Sequence, residues 1–328
     1  TTITDMPALC PAEGVCPNLE CPASGRMGVH AHQERRYICH ACKTTFAAPT
    51  ASPLFGLKTP QWVVLIVLTL LVYGCPVPAI VAAFGLDERA VATWLKKAGA
   101  HAKAVQEELV CSGQVDLGPV QGEELYVKHQ AGTVWMAMAM SVFSRLWLGE
   151  RSRPNDHGRD TAVVQQYGLL RGEAAHPWAT DGVAAWASSI LSVFRAPQPT
   201  GKPGRPPLVV WADLHIIQVI KQDTRRRVRA VRRTLSYGNQ SAAEALGQAT
   251  QVGGVFTPAS IERLRGTFRT GIRPLTRRSR TPARDVAQVE AAMVWRGVVY
   301  TFCRVHRSLD ASPAMAADRT DHVWSIRE

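Results

Sequence analysis

Thiols near the start of this chain and a run of arginines near its end are the residues whose types and spacing could do chemistry. "CPNLEC" carries Cys16 and Cys21, and "CHAC" carries Cys39 and Cys42. Two short cysteine knuckles joined by a polar spacer match a zinc ribbon, in which four thiolates close a tetrahedral structural site. The spacer, "PASGRMGVHAHQERRYI", has too little apolar surface for a core of its own, so bound zinc would supply the folding energy. Cys10, His30, His32 and His40 are less well spaced as ligands. The arginine run is "IERLRGTFRTGIRPLTRRSR", residues 261–280, with seven arginines and a single acid, Glu262. Two readings stand side by side. The glutamate opens a helix whose N-terminus favours negative charge, or it holds a metal ion against a polyanion gripped by the arginines.

Charge distribution favours a polyanion as partner. The net charge is +12, and residues 201–328 alone hold 22 Lys and Arg against 10 Asp and Glu, so the whole excess lies there. Arginine supplies most of it, and its planar fork suits bidentate phosphate contacts better than an ammonium does. "TRRRVRAVRR" adds six arginines within ten residues. It reads as a solvated face or, given its density, a phosphate-contacting one. Double-stranded DNA is the expected partner. No secretory signal is legible, and the most apolar run, "WVVLIVLTLLVY" at 62–73, is too short to span a bilayer and reads as a buried helix. A soluble cytoplasmic protein is expected, and eight cysteines in so long a chain do not suggest a disulfide framework.

The elements that must position these groups follow from periodicity. Thr59-Pro60 predicts a helix start with Thr as N-cap, and Gly74 predicts its end. "VPAIVAAFGL" predicts a short helix closed by Gly85. Asp87 caps a third helix that buries Val91, Trp94, Leu95 and Ala98 and shows Arg89, Thr93, Lys96 and Lys97 on its other face. That pattern resembles a helix–turn–helix whose last helix enters a major groove, although a plain helical bundle gives the same pattern. From 123 onward the runs turn extended: "EELYVKH", "TVWMAMAMSV" and "RLWLGE". In the middle run Val134, Met136, Met138 and Met140 alternate with Trp135, Ala137 and Ala139, the period of a strand packed on both faces, so the methionines read as core. "DTAVVQQYGLL" predicts a helix, "HPWAT" a short strand leading to Asp181-Gly182, and "VAAWASSILSVF" another helix. "APQPTGKPGRPP" predicts a stiff connector, and "HIIQVIKQ" a further strand. Strands followed by alternating helices and strands imply an α/β sheet, in which acids at strand ends converge on one crevice.

Together, "VQGEELYVK", "TDG", "VVWADLHIIQVIK", "IERLRGTFR" and "FCRVHRSL", behind ribbon-like and helix–turn–helix-like segments, resemble a bacterial insertion-sequence transposase of the insertion-sequence-one type. The resemblance covers essentially the whole chain. It implies a zinc-ribbon module over residues 1–50, a helix–turn–helix domain over 51–112 and an RNase H-like DDE domain over 113–328. It also implies cleavage of DNA and strand transfer with two magnesium or manganese ions, within a homodimer or larger homo-oligomer. Two divalent ions about 3.5–4 Å apart activate the attacking oxygen and stabilise the leaving one, and hard cations take carboxylate ligands. Carried over position by position, the resemblance assigns the catalytic acids to Glu123, Asp181 and Glu262. DNA contacts are expected from Arg89, Thr93, Lys96, Lys97, Arg225, Arg226, Arg227, Arg265, Arg269 and Arg273. The pattern departs from the family in three places: Glu123 stands where Asp is usual, and Arg265 and Thr301 stand where Asn is usual. A transposase descendant that keeps DNA binding with weak or lost catalysis is the alternative expectation.

Overall fold

In the computed structural model, residues 27–31, 36–47, 53–112, 117–130, 132–153, 164, 177–199, 201, 204–224, 227–250, 254–276 and 282–328 are described. Strands β1 (Met27–Ala31), β2 (Arg36–Cys39) and β3 (Thr45–Ala47) form a small antiparallel sheet. Helices α1 (Gln61–Val72), α2 (Val77–Phe84) and α3 (Glu88–Val105) follow. The central strands are β4 (Val120–His129), β5 (Gly132–Ser141), β6 (Trp147–Arg153) and β7 (Pro177–Thr180). After α4 (Ala184–Val193) come β8 (Arg195–Pro197), β9 (Leu208–Val210), β10 (His215–Thr224) and β11 (Arg227–Tyr237). Helices α5 (Gln240–Thr250), α6 (Ala259–Gly271), α7 (Val286–Val298) and α8 (Pro313–Ala316) complete the described α-helices, beside short π-helical turns at Gln106–Val110 and Val299–Cys303 and a 3-10 turn at Arg273–Leu275.

The expected α/β sheet is present as six strands in the order β11-β10-β7-β4-β5-β6. β4, β5 and β6 are antiparallel neighbours, β7 runs parallel to both β4 and β10, and β11 returns antiparallel along β10. Strand alternation decides which side chains meet which layer. On β5, Met136, Met138 and Met140 are buried with Leu125, Val127, Ile261, Leu264 and Phe268, while Ala137 and Ala139 join Val120, Trp178 and Trp186 on the other face. The methionine stripe is therefore core, as its period predicted. Glu123 pairs with Met138 and Glu124 with Ala137, which puts the two adjacent glutamates on opposite faces.

The helical segment before the sheet forms as expected in outline. Asp87 Oδ1 accepts from the Arg89 N–H at 2.6 Å, capping α3. Val91, Trp94, Leu95 and Ala98 are buried, and Gly85 ends α2 in the left-handed region at φ 61°. One boundary is corrected: α1 is capped by Pro60 rather than Thr59, because the extended backbone of Pro60 (ψ 135°) keeps it outside the helix. The proline connector is corrected too, since its flanks pair as the two-stranded β8–β9 ladder, with Arg195 opposite Val210.

These helices share one apolar core with the large sheet. α3 lies against α7 so closely that a Cβ at Gly99 would sit 2.6 Å from the Ala291 Cα. Trp295 Nε1 donates to the Leu68 carbonyl at 3.2 Å, and Arg296 donates to that of Val72. No helix among the described residues is long and apolar enough to cross a membrane.

Candidate catalytic site

The site is built where β4, β7 and α6 come together. In the parallel β4–β7 ladder Gly122 pairs with Thr180, so Glu123 and Asp181, one residue further along each, emerge side by side. Gly122 is required on the other face, where a Cβ would meet the Trp186 ring at 2.8 Å. Gln121, two residues before Glu123 and on the same face, fixes the third element. Its Nε2 donates to the Thr257 carbonyl at 2.6 Å, and its Oε1 accepts from the Ile261 N–H at 2.9 Å. This amide pins the start of α6 to β4 and satisfies one of the helix's unbonded N–H groups. Glu262 follows in the first turn of α6.

Glu123 lies within electrostatic reach of both Asp181 and Glu262. The Glu123 carboxyl is pushed up to about 7, chiefly by burial, with Arg265 opposing and Glu262 and Asp181 adding to the rise. Burial also raises Asp181, against the N–H of Val183, which donates to its Oδ1 at 3.3 Å; Glu124 raises it further, and Arg265 opposes. An ionised neighbour raises the cost of ionising a buried carboxyl, and Glu123 feels two such neighbours.

Two cations lie among them. Arg265 makes an ion pair with Glu123 Oε1, one turn along α6 from Glu262. Lys221 pairs with Glu262 Oε1. The other Glu123 oxygen, Oε2, is buried and without a hydrogen-bond partner. Among the described residues no group of three or more His, Cys, Asp and Glu side chains is gathered as a metal-binding set. Glu123 faces the Arg265 guanidinium and Glu262 the Lys221 ammonium.

The arginines of the 261–280 run separate by helical position. Arg265 and Arg269 lie on the flank of Glu262, and Arg269 lowers the Glu123 carboxyl from there. Arg263 faces the other flank, and Arg273 is exposed beyond the end of α6. Arg225 and Arg226 lie outside the described residues, as do Cys16, Cys21 and, except for the buried, helical Val164, the segment "DTAVVQQYGLL"; Arg227 opens β11. The edge strand β11 carries Arg229, Arg232 and Arg233 at exposed positions.

On α3 the polar face is partly engaged within the protein. Lys96 pairs with Asp285, the N-cap of α7, at 2.6 Å, and Lys97 donates to the Phe55 carbonyl at 3.4 Å. The Thr93 hydroxyl donates to the Arg89 carbonyl at 2.8 Å, and the Arg89 side chain is exposed. Cys39 and Cys42 bracket a tight turn in which the Lys43 N–H donates to the Cys39 carbonyl at 2.9 Å, with Lys43 in the left-handed region at φ 58°.

Gln121 and Lys221 escaped sequence reasoning, and strand alternation could have found both. Gln121 shares a face with Glu123, and Lys221 continues the face of Ile217 and Val219 on β10. No protein-family model matches the chain, and no curated protein matches it.

Proposed function

We propose that the protein is a DNA-processing enzyme of the phosphoryl-transfer class, with an RNase H-like core. More particularly, we read it as a DDE transposase acting on element-end DNA. The observation that carries this reading is the coupling of Asp181 and Glu262 to Glu123 across three separate elements. The sheet supports it, with an antiparallel trio followed by parallel strands and an acid at the centre.

The donor set suits hard divalent cations: carboxylate oxygens, one of them buried with no hydrogen-bond partner. Glu123, Asp181 and Glu262 would hold two magnesium or manganese ions, which when bound would activate an attacking oxygen and stabilise the leaving one. The chain's own residues have other tasks. Gln121 keeps Glu262 in register with β4. Arg265 balances Glu123 while the acids are alone, and with Arg269 it is placed to grip a phosphate once that balance is no longer needed. The N-terminal cysteines would bind structural zinc, and a homodimer or larger assembly would bring two DNA ends together.

A second reading has its own support. Glu123 is one methylene longer than the usual aspartate and is held by Arg265, which suits a DNA-binding descendant with weak or lost catalysis. Cleavage and strand transfer on candidate element ends with Mg²⁺ or Mn²⁺ separate the two. Activity abolished by Asp181→Ala supports the enzyme. Salt-sensitive DNA binding without cleavage, with activity appearing in Glu123→Asp, supports the descendant.

A further inference from the structure

On the flank of α6 turned away from Glu262 there is a second polar cavity, of about 110 Å³, that the acid site does not use. Three arginines line it, from three separate elements: Arg145 from the β5–β6 turn, Arg263 from α6 and Arg304 from the segment after α7. Ser260, Thr267, Tyr300 and His306 complete the polar lining, and no carboxylate lines it. Among the described residues none of the three guanidiniums makes an ion pair, although three like charges brought together repel one another.

The cavity is held in shape at a cost. Arg145 occupies the left-handed region at φ 58°, where Gly or Asn is the ordinary choice, so the turn accepts strain to keep this side chain. Its guanidinium donates to the Ser260 hydroxyl, yet its Nε is buried without a partner. A buried N–H left without an acceptor costs about 1–3 kcal/mol unless a ligand supplies one. The mutual influence of the groups fits an anion site. Burial pushes the Tyr300 hydroxyl up to about 12 and keeps it a donor, while burial and then the three arginines hold His306 below its ordinary value.

We propose that Arg145, Arg263 and Arg304 form a phosphate-binding site, distinct from the acid crevice and on the opposite flank of the same helix. Guanidinium forks match the tetrahedral oxygens of phosphate, with the Ser260 and Tyr300 hydroxyls as further donors. The source of the phosphate, a DNA backbone or a free anion, rests on the proposed function; the site itself does not.

The test uses the full chain, Arg263→Gln/Arg304→Gln, and a control of equal charge loss on the edge strand, Arg229→Gln/Arg232→Gln. Arg263, Arg304, Arg229 and Arg232 are exposed, so neither double variant removes core, and circular dichroism checks the fold. Inorganic phosphate, against chloride at matched ionic strength, should raise Tm by about 2–4 °C in the natural protein and the control and not in the pocket variant. Duplex binding measured across salt should weaken in the pocket variant, its salt slope falling by about 1, with inorganic phosphate competing. A phosphate response with unchanged duplex binding keeps the site and makes its ligand a free anion. If the natural protein binds no duplex, the proposed function fails and the Tm comparison still decides the site. No phosphate response, together with duplex binding that is unchanged or falls equally in both variants, overturns the inference.

Discussion

Glu123 on the central strand and Arg265 on α6 form an ion pair across the crevice, with side chains only 7% and 20% exposed. Burial outweighs the guanidinium, so the carboxyl still titrates far above its ordinary range. The pair is a compensation rather than a source of stability, since desolvating both charges offsets most of their attraction. Arg265→Ala should therefore leave a buried carboxylate without its cation. Urea unfolding should show a loss of roughly 3 kcal/mol at pH 8. At pH 5, where Glu123 is protonated, the loss should be much smaller; equal losses at both pH values would contradict the assignment.

The pH dependence of stability follows from the same carboxyl. Its folded pKa of about 7 lies above the ordinary 4.5. Between those values the folded chain keeps a proton that the unfolded chain releases, so this group's contribution falls as pH rises through the window and levels off above it. The difference is on the order of 3 kcal/mol. Glu123→Gln should flatten that part of the curve, and a variant curve parallel to the natural one from pH 4.5 to 7 would rule the raised carboxyl out.

Gln121 is expected to matter more than a lone amide usually does. Gln121→Leu removes both bonds that tie α6 to β4 and leaves the Ile261 N–H without its acceptor. Stability should fall by about 2 kcal/mol, and hydrogen exchange should quicken first at the α6 N-terminus. Unchanged exchange there would mean that the helix is held by its apolar face alone.

The helical segment offers a contrast. Lys96 and Asp285 are each about half exposed, so Lys96→Ala should cost less than about 1 kcal/mol, and less again in high salt. Asp285 is held below its ordinary range, first by its hydrogen bond from Lys96. Its contribution is present above the unfolded value and fades as pH falls through the folded one. If the α3 face also meets DNA, the same substitution should weaken duplex binding well beyond that small stability change.

Much of this arrangement was legible because period and chemistry agreed. The alternation of Met136, Met138 and Met140 fixed a strand packed on both faces, and Asp87 and Gly85 marked helix ends through their own backbone chemistry. The tie between the helical segment and α7 was not legible, because it depends on Gly99 meeting Ala291 nearly two hundred positions away, and neither residue advertises a contact. The arginines of 261–280 looked like one basic patch. Helical geometry divides them, sending Arg265 to an acid and Arg263 to the cavity on the opposite flank. Glu262 stands in the first turn of its helix, as the first of its two readings expected.

The most direct test is manganese binding, followed by the loss of the free-ion paramagnetic signal in the natural protein, Glu123→Ala, Asp181→Ala and Glu262→Ala. Up to two ions should bind the natural chain, with affinity falling at least about tenfold in each variant, as when a ligand is removed. No binding by the natural protein, or binding untouched by all three substitutions, would contradict a shared carboxylate site.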